Sequence, residues 1–122
     1  MNKKTVIVGA TDNPGRYAYL AANMLRDYDH EIVPLGIKSG KVAGTEILNI
    51  RDKPELKDID TITLYIGPPR QPEWYEYLLS LKPKRIIFNP GTENPEFEKL
   101  AESKGIETME ACTLVLLRSH QF

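Results

Sequence analysis

The stretch Gly9-Ala10-Thr11-Asp12-Asn13-Pro14-Gly15-Arg16 carries the residues best suited to hold an anion. It follows the β-branched run Thr5-Val6-Ile7-Val8 and precedes apolar residues at helical spacing, so it reads as a strand–turn–helix junction. The first N–H groups of a helix lack partners, and its dipole is positive at that end, which together favour a phosphate. Thr11 adds a hydroxyl donor and Arg16 a guanidinium. Against the dinucleotide fingerprint G-x-G-x-x-G, Gly9 fits, Thr11 takes the second glycine place and Pro14 the third. The same residues also suit a capped helix after a tight turn with no ligand.

A second loop decides which nucleotide is meant. Dinucleotide-binding domains for NAD end their second strand on an acid that binds the ribose 2′-hydroxyl. Here that strand ends Pro34-Leu35-Gly36, without an acid, and Lys38 and Lys41 come next. A cationic loop suits a phosphate on the ribose, either the 3′-phosphate of coenzyme A or the 2′-phosphate of NADP. Two further corners, Ile66-Gly67-Pro68-Pro69 and Asn89-Pro90-Gly91, are rigid and poor in N–H donors. An adenine ring or a pantetheine arm can pack there, although both corners also serve simply as strand stops. Cys112 lies near the start of a short apolar segment and reads as a small buried hydrophobe or as a thiol facing a thiol cofactor. His30 and His120 suggest neither a metal nor a base. No paired carboxylates, Ser-His-Asp set or zinc spacing is present.

The elements that must position these residues alternate between strand and helix. Strands are expected at 5–8, 31–35, 45–48, 61–66, 84–88 and 106–109. The Asp12-Asn13-Pro14 cap predicts a helix carrying Tyr17, Leu20, Ala21, Met24, Leu25 and Tyr28 on one face. Asp52-Lys53-Pro54 predicts a short helix by the same logic, and Pro72 opens another with Trp74, Tyr77, Leu78 and Leu81 inward. Pro95 to Lys104 is a helix closed by Gly105, and Cys112 to Leu117 a final short one. This alternation predicts a Rossmann-like three-layer α/β/α fold around a parallel sheet, in strand order 3-2-1-4-5 plus a short extra strand. The flavodoxin-like order 2-1-3-4-5 is the alternative. In either, ligands bind beyond the carboxyl ends of the strands.

Length and composition set the frame. At 122 residues the chain reads as a single domain, 1–122, with no room for a separate substrate domain. A formal charge of -1 gives no basic footprint for nucleic acid, so an anion site must come from local arrangement. The lone cysteine suits a reducing cytoplasm, and no apolar run approaches a membrane span.

Gly9 to Tyr17, the Ile32-Val33-Pro34 strand and Asn89-Pro90-Gly91-Thr92-Glu93 resemble the small stand-alone CoA-binding domain proteins of bacteria, from about Thr5 to Leu117. The same fold forms the CoA-binding domain of the succinyl-CoA synthetase alpha subunit. The resemblance implies a bound coenzyme A or acyl-CoA, with its diphosphate at Thr11 to Arg16 and phosphate or ribose contacts near Lys38. It implies further contacts at Ile66 to Pro68 and near Asn89 to Gly91. Two departures stand out. The family usually reads Pro-Val-Asn-Pro-Lys where this chain has Pro34-Leu35-Gly36-Ile37-Lys38, and a small-Cys-Cys pair where only Cys112 remains. The synthetase's catalytic histidine and ligase domains have no counterpart. The expectation is therefore a CoA-binding protein without evident catalytic machinery, with an acyl-CoA enzyme or a second copy of the chain as a partner. An NADP-binding oxidoreductase remnant and a ligand-free interaction scaffold are the alternatives.

Overall fold

Val6 and Val8 point to one side of the first strand and Ile7 to the other, and this two-residue period sets the layers. The computed structural model describes residues 2–122. Strand β1 (Thr5–Val8) lies between β2 (Ile32–Gly36) and β6 (Thr61–Leu64), parallel to both. Strand β7 (Arg85–Phe88) follows β6, β8 (Glu107–Glu110) forms one edge, and the two-residue β5 (Leu48–Asn49) forms the other. The order across the six parallel strands is β5-β2-β1-β6-β7-β8, which is 3-2-1-4-5-6 when only these strands are counted. The expected 3-2-1-4-5 arrangement is present, with β8 as the sixth strand, and the flavodoxin-like alternative is set aside.

One face of the sheet carries Val6, Val8, Ile62, Leu64, Ile86 and Phe88. These pack on α2 (Tyr75–Ser80) through Leu78 and on α3 (Pro95–Ser103) through Phe97 and Ala101. Phe88 and Phe97 meet edge to face at 5.7 Å. The other face carries Ile7 and Ile32 against Ala18, Ala22 and Leu25 of α1 (Tyr17–Asp27) and Leu117 of α4 (Thr113–Arg118). The small residues of α1 let it lie close to the strands. Each fully buried Leu or Ile contributes about 1.5–3 kcal/mol to this sandwich.

The structure differs from the sequence expectations in several places. Of the stripe expected on the first helix, Ala21 and Leu25 are buried, but Tyr17, Leu20 and Tyr28 are exposed, because the small side chains of Ala18 and Ala22 turn that part of the helix toward the sheet. The strand expected at 61–66 ends at Leu64. Helix α1 begins at Tyr17 with Arg16 as its cap, not at Pro14. Thr11 Oγ1 accepts the N–H of Asn13 and Asn13 Oδ1 accepts that of Gly15, so the cap-like side chains build two successive turns first. The expected strand at 45–48 is divided. β4 (Thr45–Glu46) pairs antiparallel with β3 (Lys41–Val42) in a small hairpin, and only Leu48 and Asn49 join the main sheet. No helix follows Asp52-Lys53-Pro54. A single 3₁₀ turn, Ile50–Asp52, is capped by Asn49 and stopped by Lys53 at φ 45, because a residue before proline avoids the helical region.

At the amino ends of the strands, opposite the expected site, Arg85 is buried, donates from Nε to Thr61 Oγ1 at 2.7 Å and lies 4.3 Å from the Phe122 ring centroid. The same ring packs on His30, 4.9 Å away, whose Nδ1 accepts the N–H of Lys3. His30 therefore serves packing at this end of the sheet. No helix among the described residues is long and apolar enough to cross a membrane.

Candidate functional site

Four strand tips enclose a cavity of about 660 Å³ at the carboxyl edge of the sheet, on either side of β1. The first tip runs straight from β1 into its turn. Gly9 adopts φ +93, and a Cβ there would come within 3.0 Å of Ile66 Cγ2 and 3.2 Å of the Tyr65 backbone, so glycine is required on both counts. The N–H groups of Gly9 and Ala10 both go to the Leu35 carbonyl at 2.9 Å, which draws the loop over the end of β2. Gly36 makes this close pass possible, since a Cβ on it would sit 2.6 Å from the Ala10 carbonyl oxygen.

Those bonds decide which amides remain for a ligand. Gly9 and Ala10 are committed to β2, and Asn13 and Gly15 to their own turns. The N–H groups of Thr11, Asp12, Tyr17 and Ala18 have no acceptor among the described residues. The free donors thus sit on either side of the Asn13–Gly15 bulge, and Arg16 lines the cavity beside them.

The second tip contributes Gly36, Ile37 and Lys38. The chain then turns at Gly40, where a Cβ would come within 2.7 Å of the Asp12 carboxylate, and the Gly40 carbonyl accepts the N–H of Ile47. The Lys38 loop is thereby held between the first turn and the β3–β4 hairpin. The third tip brings Ile50 and Arg51, and the fourth Tyr65, Ile66 and Gly67, followed by Arg70, Glu73 and Trp74. Arg16, Lys38, Arg51 and Arg70 therefore face one cavity that holds a single carboxylate, Glu73. Neither ion pair found among the described residues, Lys4–Glu31 and Lys84–Asp60, engages any of the four.

The wall beside β6 is stiffened by buried polar side chains. Gln71 is fully buried, and its Nε2 donates to the carbonyls of Ile66 at 3.0 Å and Thr92 at 2.8 Å. Its Oε1 accepts from Asn94 at 2.9 Å. The Tyr65 hydroxyl is buried without a hydrogen-bond partner. Burial pushes this phenol up to about 12, and the nearby Thr113 and Thr63 hydroxyls offset only part of the rise.

A family model for the CoA binding domain matches residues 3–118, nearly the whole chain. The chain belongs to the CoA-binding domain family. Among solved structures, this CoA-binding domain is similar to an uncharacterized protein at 51% identity and a TM-score of 0.96, covering 100% of this chain and 99% of that one. It shares its fold with a Thermus thermophilus protein at 23% identity and a TM-score of 0.83, covering 99% and 91%. A hypothetical protein from Pyrococcus horikoshii matches at 25% identity and a TM-score of 0.81, covering 98% and 82%. Nothing matches among curated proteins.

In this CoA-binding domain the residues expected to form the site fall into two groups. Gly9, Ala10, Thr11, Arg16, Lys38, Ile66 and Gly67 line one cavity. Asn13 and Pro14 stand exposed on the bulge beside it, and Pro68 opens a 3₁₀ turn just past the lining residue Gly67. Asn89, Pro90 and Gly91 lie outside the lining. Asn89 is buried, with Nδ2 donating to Thr63 Oγ1 at 2.6 Å and to the Leu64 carbonyl at 2.8 Å. Its Oδ1 accepts the N–H of Thr113 at 2.9 Å, so it joins β6, β7 and α4. Cys112, half-buried as the cap residue of α4, is likewise outside the lining.

The sequence did not single out Arg51, Tyr65, Arg70, Glu73 or Trp74 as site residues, although all five line the cavity. Arg51 was legible by the same rule that found Lys38, since both follow the end of a strand. Placing the third strand at 45–48, rather than at 48–49, hid that tip.

Proposed function

We propose that this chain binds coenzyme A, free or acylated, in the cavity at the carboxyl ends of the strands and performs no catalytic step of its own. The observation that carries this reading is the charge of the cavity. A molecule with a formal charge of -1 gathers four cations and one carboxylate around one cleft. Coenzyme A brings a diphosphate and a ribose phosphate on one long, narrow molecule, which is the complement of that arrangement. The free amides of Thr11 and Asp12, with Arg16, suit the diphosphate. Lys38, at the end of a strand without a terminal acid, suits the ribose phosphate, and Ile66, Gly67 and Trp74 offer apolar contact. Family membership supports the same ligand. In this reading residues 1–122 act as one domain in the reducing cytoplasm, as a carrier, sensor or partner of an acyl-CoA enzyme.

Calorimetric titration with coenzyme A, dephospho-CoA, NAD and NADP tests the reading. Coenzyme A is expected to bind most tightly, and Lys38→Ala to weaken it more than dephospho-CoA. NADP outranking coenzyme A, or negligible heat with all four, overturns the proposal. Mass spectrometry of the small molecule that travels with the native protein provides an independent check.

A further inference from the structure

Lys38 and Arg51 occupy equivalent places on neighbouring parallel strands. The register pairs Leu35 with Leu48 and Gly36 with Asn49, so each cation stands two residues past its strand's last paired position. The backbone at Arg51 is fixed. Asn49 Oδ1 accepts its N–H at 2.9 Å, and the 3₁₀ turn Ile50–Asp52 is pinned by the buried Ile50. Both side chains line the same cavity, and neither has a carboxylate partner among the described residues. Two like charges just past the ends of adjacent strands, lining one cavity, repel each other, and an anion between them relieves that repulsion.

We propose that Arg51 is the second half of a clamp, with Lys38 as the first, that recognises the 3′-phosphomonoester on the ribose of the bound adenine nucleotide. The proposal rests on the coenzyme A reading and makes the end of β5 the determinant that separates 3′-phosphorylated nucleotides from their dephosphorylated forms. A guanidinium presents two N–H groups to one phosphate, whereas the lysine supplies a point charge, so the pair gives both geometry and affinity.

The test compares coenzyme A with dephospho-CoA on the wild type, Arg51→Ala and Arg51→Lys. Arg51→Ala is expected to weaken coenzyme A about tenfold or more while leaving dephospho-CoA within about twofold. Arg51→Lys is expected to recover part of the loss. The unfolding temperature of ligand-free Arg51→Ala should stay the same or rise, because a repulsion is removed. Arg51→Ala weakening both ligands equally, or neither, overturns the clamp while leaving coenzyme A binding intact. A wild type that binds neither ligand overturns the proposed function and the clamp together.

Discussion

Gly36 has no room for a methyl group. A Cβ there would press on the Ala10 carbonyl, and that carbonyl belongs to a loop already fixed by two bonds to Leu35. Gly36→Ala should therefore lower stability by about 1–3 kcal/mol in urea unfolding, as overpacking does. It should also weaken coenzyme A in calorimetry by displacing the first turn. An unchanged affinity would separate that turn from the ligand. Tyr65 makes a different demand. Its phenol is held up to about 12, as is that of Tyr77, against an ordinary value of 10.0. Between those values the unfolded chain has released protons that the folded chain keeps, so stability falls as pH rises from 10 toward 12. Tyr65→Phe should remove this residue's share of that fall, leaving that of Tyr77, in unfolding measured against pH, with little loss at neutral pH, since the buried hydroxyl has no hydrogen-bond partner.

At the scale of elements, the long apolar runs were the most legible. Thr5–Val8, Thr61–Leu64 and Arg85–Phe88 lie within the strands expected at 5–8, 61–66 and 84–88, because β-branched residues alternate between two packed faces. The helix closed by Gly105 was equally readable, since Gly105 takes φ +78 just past α3. Starts were harder to read than middles. Asp12-Asn13-Pro14 and Asp52-Lys53-Pro54 carry the composition of a helix cap, but Thr11, Asn13 and Asn49 place their oxygens on nearby amides and make turns. The pull of Gly40 on Ile47, which divides the expected third strand, has no signature in local sequence. Asn89 shows another such case. Its position after β7 was visible, but its three partners come from residues 24 to 26 positions away in the chain. Asn89→Ala should lower stability by about 2–4 kcal/mol in denaturant unfolding, because it strips the amide of Thr113 and leaves the buried Leu64 and Thr63 oxygens short of a donor. A loss under about 1 kcal/mol would show that this junction is not structural.

For the whole molecule, charge is nearly balanced and function lies in its distribution. Sixteen Lys and Arg stand against 17 Asp and Glu, yet the cleft at the carboxyl edge is dominated by cations. Coenzyme A affinity should therefore fall several-fold as salt rises from about 0.05 M to about 0.5 M, since the Debye length shrinks from well above to well below about 10 Å over that range. Flat affinity across the titration would mean that apolar contact, not the cation set, holds the ligand. Ligand at about a hundred times its dissociation constant should also add about 2.7 kcal/mol to stability, read as a rise in unfolding temperature. The Gln71 amide gives this cleft a mechanical property of its own. One side chain grips the carbonyl of Ile66 on one loop and that of Thr92 on the next. The two loops are bolted into a single jaw, so a guest that shoves the corner at Gly67 must drag the Pro90 corner with it, and strain raised at one rim is delivered to the base of α3.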